Sequence, residues 1–373
     1  MPGRQVVQRV GNGGVLLAVA ALAGLLAYDA TRRAPPYPAA RHDAARRAAR
    51  AASMPHAASP ASAPANGRAA ARPSEIPPRG WWDILRRTAS QASEDRLMTE
   101  AAGITFYVLL ALFPALAALV SLYGLVADPA TVQAHLNTLS DIVPGGGMQI
   151  IEEQVQRVAQ SAGGSLGLGA LLGLGVSLWS SNKAAKALFD ALNVVYEERE
   201  KRGFIKLTAT TLLFTLGMIA FAVLTMLGVV AVPVVLGLVG LDGRAEAWLS
   251  FGRWPLLLVL SSLVLACLYR WGPSRESARW RWVSWGSAFA ALAWLGGSAA
   301  FSWYVAHFGN YNETYGSLGA VVGFMTWIWI SATVVLLGAE LNAEMEHQTA
   351  EDTTTAPEQP MGQRGAVMAD SVA

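Results

Sequence analysis

Charge is scarce in this chain. Asp, Glu, Lys and Arg make up 14% of its 373 residues, where a soluble domain carries about 25%. Hydrophobic residues make up 53%, and mean hydropathy is +0.35. That balance excludes a disordered chain and argues against a soluble enzyme. Cysteine is nearly absent as well. The one thiol, Cys267, lies in an apolar run and cannot close an internal disulfide. A disulfide scaffold is therefore excluded. The five histidines are scattered, and no Cys/His cluster has metal-ligand spacing. No metal or cofactor is expected. Net charge is only +2, so no global basic field calls for nucleic acid.

What is there is apolar sequence in long runs. A spanning helix needs about 20 mostly apolar residues. Six runs qualify, near 101–127, 162–181, 207–236, 253–271, 283–307 and 317–340. They predict an all-α, polytopic membrane helix bundle with six core transmembrane helices. Residues 1–30 hold a shorter apolar run, 13–28, of a length that fits either an extra hydrophobic helix or a surface segment. Residues 31–79 are rich in Ala, Pro, Ser and Arg and poor in large aliphatics. They are expected to be a disordered basic linker, because little burial is available to offset ordering entropy. Its arginines could rest on anionic headgroups. The membrane domain itself is expected over 80–346, and a polar, disordered tail over 347–373. Residues 81–98 pattern as an amphipathic helix, with Trp82, Leu85, Ala89 and Ala92 near one face, suited to the headgroup layer. The connector 128–161 reads as two short amphipathic helices around Pro144-Gly145-Gly146-Gly147.

Basic residues alternate between connectors. Arg79, Arg86, Arg87 and Arg96 precede the first run. Lys183, Lys186, Arg199, Lys201, Arg202 and Lys206 lie between the second and third. Arg270, Arg275, Arg279 and Arg281 lie between the fourth and fifth. The intervening connectors are poor in Lys and Arg. By the positive-inside rule both ends of the core face the cytoplasm.

No catalytic signature occurs in a plausible context. The glycine-rich GGSLGLGALLGLG lacks the Lys-Ser/Thr ending of a phosphate loop and lies in an apolar run. Substrate-path or gate candidates are Tyr107, Pro114, Arg270, Tyr304, Tyr315 and Glu340. Pro114 removes a backbone donor inside the first run, and a broken helix can line a path. Arg270 and Glu340 sit at run ends where they could pair, either as a gate or as an anchor. The tyrosines gather at the membrane edges, where an aromatic belt also explains them. Ser165, Gly169, Gly173 and Ser177 recur every four residues, and Gly319 and Gly323 form a similar pair. Such small faces serve helix packing within one subunit or between copies in a homo-oligomer.

AAGITFYVLLALFPAL, SLWSSNKAAKALFDALNVVYEEREKRGFIK, LYRWGP, YGSLGAVVG and GAELNAE together resemble the YihY/BrkB membrane proteins over about 81–346. The resemblance implies a bacterial inner-membrane protein without a settled activity. Some members carry an old ribonuclease label. Hydrolysing RNA needs a water-accessible metal or acid–base cluster, and the short connectors here offer none, so no enzyme is expected. Two readings stay open. One is a transporter or flippase-like protein for a lipid or other envelope component. The other is a non-transporting protein that organises partners or lipids. The bilayer is the expected partner, and nucleic acid is not.

Overall fold

A computed structural model describes residues 66–126, 166–226, 243–308, 317–355 and 357–373. These residues form seven α-helices and no strand. They are α1 (Pro78–Glu94), α2 (Leu97–Val126), α3 (Leu166–Val195), α4 (Phe204–Met226), α5 (Gly243–Trp271), α6 (Trp280–Phe308) and α7 (Ser317–Gln348). Among the described residues, three segments are long and apolar enough to cross a membrane: Phe204–Phe221, Trp280–Val305 and Val321–Gln348. Leu97–Ala111 and Pro255–Trp271 are shorter apolar helices. The runs at 13–28 and 128–161, with Ser165 and Tyr315, lie outside the described residues.

The helices follow from the apolar runs, and their few hydroxyls are satisfied locally. Thr105, Thr215, Ser261, Thr326 and Thr333 each donate to the carbonyl four residues earlier, which lets a hydroxyl sit in an apolar helix at little cost. Between helices, the indoles of Trp294 and Trp327 donate to Ser331 and Ser298 and tie α6 to α7. Thr211 donates to Asn182 and ties α4 to α3.

The bundle is an open crescent. In packing order the helices run α4, α3, α2, α7, α6, α5. Among the described residues the two terminal members, α4 and α5, barely meet. Helix α1 lies across α7 and α2. Helices α6 and α7 cross closely at Gly286 and Gly338. A Cβ added at Gly286 would collide with the Gly338 carbonyl and the Asn342 side chain, and one at Gly338 would stand 2.6 Å from the Tyr269 hydroxyl. Asn342 fills the crossing by accepting from the Gly286 amide at 2.8 Å and donating to the Val283 carbonyl at 3.2 Å. The sequence pattern did not single out this pair of glycines. Gly319 is buried, whereas the space beside Gly323 is open.

Two sequence expectations are corrected. Residues 66–79, assigned to a disordered linker, are ordered. Gly67 (φ +87°) turns the chain, Pro73–Glu75 forms a 3-10 turn, and Ala70 and Ile76 pack with Ile84, Trp282, Leu341 and Met345. The tail beyond α7 is ordered as well. Arg364 donates to the carbonyls of Ala350, Glu351, Gln359 and Ala369. Thr354 bridges to Ala278, and Met368 enters the main apolar core. The tail has no long apolar run, so its order rests on one guanidinium gathering four carbonyls. Sequence periodicity does not register that kind of support.

Candidate functional site

Three family-like segments, 193–202, 270–275 and 338–347, meet at one end of the crescent, and the tail folds over them. Helix α3 ends at Val195, and Glu197 adopts φ 53° to reverse the chain. The Glu198 amide returns to the Asn193 carbonyl at 2.8 Å. The Asn193 side chain then joins two connectors. It accepts from the Ser274 amide at 2.7 Å and donates to Glu200 at 3.2 Å. Glu200 receives two bonds from the Arg202 guanidinium, at 2.8 and 2.7 Å. Arg202 also donates to the carbonyls of Trp271 and Gly272 at the end of α5, where orphan carbonyls favour a cation.

Deeper in, Arg275 and Glu346 form a bidentate pair at 2.7 and 2.8 Å, with both side chains fully buried. The Arg275 guanidinium lies 4.0 Å from the centre of the Tyr196 ring, and Thr353 of the tail donates to Glu346 at 2.9 Å. Beside this pair, Arg87 of α1 donates to Glu344 and Gln348 of α7, each at 2.6 Å. Glu198 accepts from the Val367 amide of the tail at 2.8 Å. The result is a charged knot binding α1, α3, α5, α7 and the tail.

The electrostatics match the geometry. Burial opposes the charge on Arg275, but the Glu346 carboxylate outweighs it and holds the guanidinium protonated more firmly than usual. Burial pushes the Tyr196 hydroxyl well up, and the nearby Arg275 only partly offsets that. Burial would raise Glu200, yet the bonds from Arg202 win and hold it at about 2. An ion pair this deep contributes little net stability over apolar packing, but breaking it is costly. Among the described residues no group of three His, Cys, Asp or Glu side chains could hold a metal.

Among the described path candidates, Arg270 and Tyr304 lie far apart. Arg270 ends α5, donates to the Ala278 carbonyl, and lies 4.9 Å from the Trp280 ring and 5.7 Å from that of Trp271. Tyr304 is exposed near the far end of α6, about 36 Å from Trp280 at the helical rise. Tyr107 is half-buried on α2, and Glu340 is fully buried on α7. Position 114 lies within the assigned span of α2, and positions 169, 173 and 177 within that of α3. Sequence reasoning missed Arg275 and Glu346 as a pair. The available signal was that Glu340, Glu344 and Glu346 follow an apolar run, where carboxylates need partners, with Arg270, Arg275, Arg279 and Arg281 in and around the connector from α5 to α6.

Long apolar helices with a charged knot at one end define an integral membrane protein of the polytopic helical class. The family described as virulence factor BrkB matches residues 88–362, and the chain belongs to that family. It is 28% identical over 268 residues to a putative ribonuclease-like protein, YfkH, of Bacillus subtilis, a match covering 70% of this chain and 94% of that one. It is likewise 28% identical to a UPF0761 membrane protein of Ralstonia nicotianae, covering 70% of this chain and 58% of that one. A UPF0761 membrane protein of Tolumonas auensis is 38% identical over 91 residues, 24% of this chain and 29% of that one. No solved structure matches the chain.

Proposed function

We propose that this protein is a non-enzymatic lipid transporter of flippase type in the bacterial inner membrane. In this reading the charged knot faces the cytoplasm and the chain crosses the bilayer six times. The alternation of Lys and Arg between connectors supports the orientation. The observation that carries transport is the seam between α4 and α5. Arg202 and Lys201 hold the two helices together at the knot, through Trp271, Gly272 and Ser274. Away from it, Leu213 and Leu216 on α4 and Leu256 and Val259 on α5 are exposed. A crescent locked at its cytoplasmic end and open along one flank admits an amphiphile laterally, with its tails left in lipid. Charged coupling groups are sparse in the apolar runs, which fits passive exchange of lipid between leaflets.

The ribonuclease-like name belongs to the Bacillus relative, and we do not carry it over. The tightly packed knot favours one second reading, a static scaffold whose ordered charged end presents partners or lipids. Leaflet-resolved lipidomics of a deletion strain separates the two. Transport predicts a changed distribution of at least one phospholipid between leaflets. An unchanged distribution supports the scaffold.

A further inference from the structure

Helix α1 carries a groove apart from both the knot and the seam. It has a cavity volume of about 470 Å³ and is lined by Asn66, Pro78, Arg79, Trp82 and Asp83. Its rim is fixed. A Cβ added at Gly80 would stand 2.5 Å from the Asn66 carbonyl, so the turn at 66–70 sits tightly on α1. Gln348 of α7 donates to that same carbonyl at 2.6 Å. Helix α1 buries Gly80, Ile84 and Thr88, which are four residues apart, and leaves Trp82 and Leu85 exposed.

The groove lies beside the start of a segment apolar enough to span a membrane. The ring of Trp81 meets that of Trp285, 5.4 Å away, in the second turn of an α6 segment apolar enough to span. Two residues past the end of α1, Arg96 turns the chain at φ 54° into the apolar start of α2. Exposed Trp82 beside such segments has the headgroup layer as its preferred surroundings.

The charge pattern narrows the occupant. Arg79 and Asp83 stand one helical turn apart, one cation and one anion, with the Trp82 indole beside them. Among the described residues neither side chain takes part in an ion pair or side-chain hydrogen bond. An anionic headgroup would use Arg79 and be repelled by Asp83. A headgroup carrying both a phosphate and a primary ammonium matches both charges, and the indole face adds a cation–π contact for the ammonium. We propose that this groove binds the headgroup of a zwitterionic, phosphoethanolamine-type phospholipid, with phosphate on Arg79 and ammonium on Asp83 against Trp82. The site does not depend on the transport reading, since a scaffold could hold such a lipid equally well.

The test is native mass spectrometry of the full-length protein in mild detergent, dosed separately with phosphatidylethanolamine and phosphatidylglycerol. The wild type should retain more of the ethanolamine lipid. Asp83→Asn should lower that retention about threefold, the size of one exposed ion pair, and leave the glycerol lipid unchanged. Arg79→Gln should lower retention of both lipids, and Trp82→Ala should lower chiefly the ethanolamine lipid. Arg79 and Trp82 are exposed and Asp83 is partly so. All three variants should therefore melt within about 2 °C of the wild type, surface changes being worth little. Equal retention by wild type, Arg79→Gln and Asp83→Asn would overturn the proposal. So would displacement of the lipid by an equal concentration of soluble O-phosphoethanolamine, which would place the ligand in solution.

Discussion

At the residue scale, the knot turns on a pair that is expensive to break and nearly dispensable as a pair. Glu346→Gln leaves the fully buried Arg275 charge without its carboxylate, and should cost about 3–5 kcal/mol. Replacing both members with apolar residues of similar volume should cost clearly less than the single change. Unfolding of the purified variants in detergent reads this directly, and a double replacement costing the sum of two singles would contradict it. Glu200 gives a pH signature. Its folded value, about 2, lies below its ordinary 4.5. Its contribution is therefore complete above pH 4.5 and is lost as pH falls from there toward 2. Glu200→Gln should be less stable at pH 7 and lose less stability over that acid window, measured as melting temperature against pH. Parallel curves would contradict the assignment. The residues of the knot were visible in the sequence as charges beside apolar runs. Their pairing was not, because Arg275 and Glu346 lie 71 positions apart and no local spacing encodes such a partner.

At the element scale, long apolar runs made the helices legible, including the amphipathic α1. Its buried face was not. The face with Trp82 and Leu85, expected to meet the headgroup layer, is exposed, and α1 packs on the bundle through Gly80, Ile84 and Thr88, where the small Gly80 admits the turn at Asn66. Gly286 sets the α6–α7 crossing in the same manner. Gly286→Val drives a side chain into the Gly338 carbonyl and Asn342, and should cost about 1–3 kcal/mol or more by overpacking. Gly323→Ala, in open space, should be nearly neutral in the same thermal assay. The tail is the larger lesson. Its order comes from carbonyls gathered by Arg364 and from Thr353 on Glu346, which hydropathy cannot register. Amides across 351–369 should be protected from hydrogen exchange in the wild type. In Arg364→Ala they should exchange about tenfold faster or more, an opening about 1.4 kcal/mol easier, while α6 and α7 keep their protection. Uniformly fast exchange in the wild type would contradict the tail as described.

At the scale of the whole molecule, the class and family could be read from the sequence, because apolar length and charge scarcity reflect the solvent the protein needs. The crescent could not be read, since helix order around a bundle depends on side-chain fit between distant segments. The crescent links structure to the proposed role: a charged lock joins α4 and α5 at one end, and exchange is proposed along the seam beyond it. The most direct measurement follows fluorescent phosphatidylethanolamine in proteoliposomes while an impermeant reductant bleaches the outer leaflet. Without exchange, bleaching stops near one half. The account predicts bleaching well beyond one half with wild-type protein. It predicts a return to one half when engineered cysteines staple α4 to α5 away from the knot. Bleaching that stops at one half with folded wild-type protein would contradict the central claim.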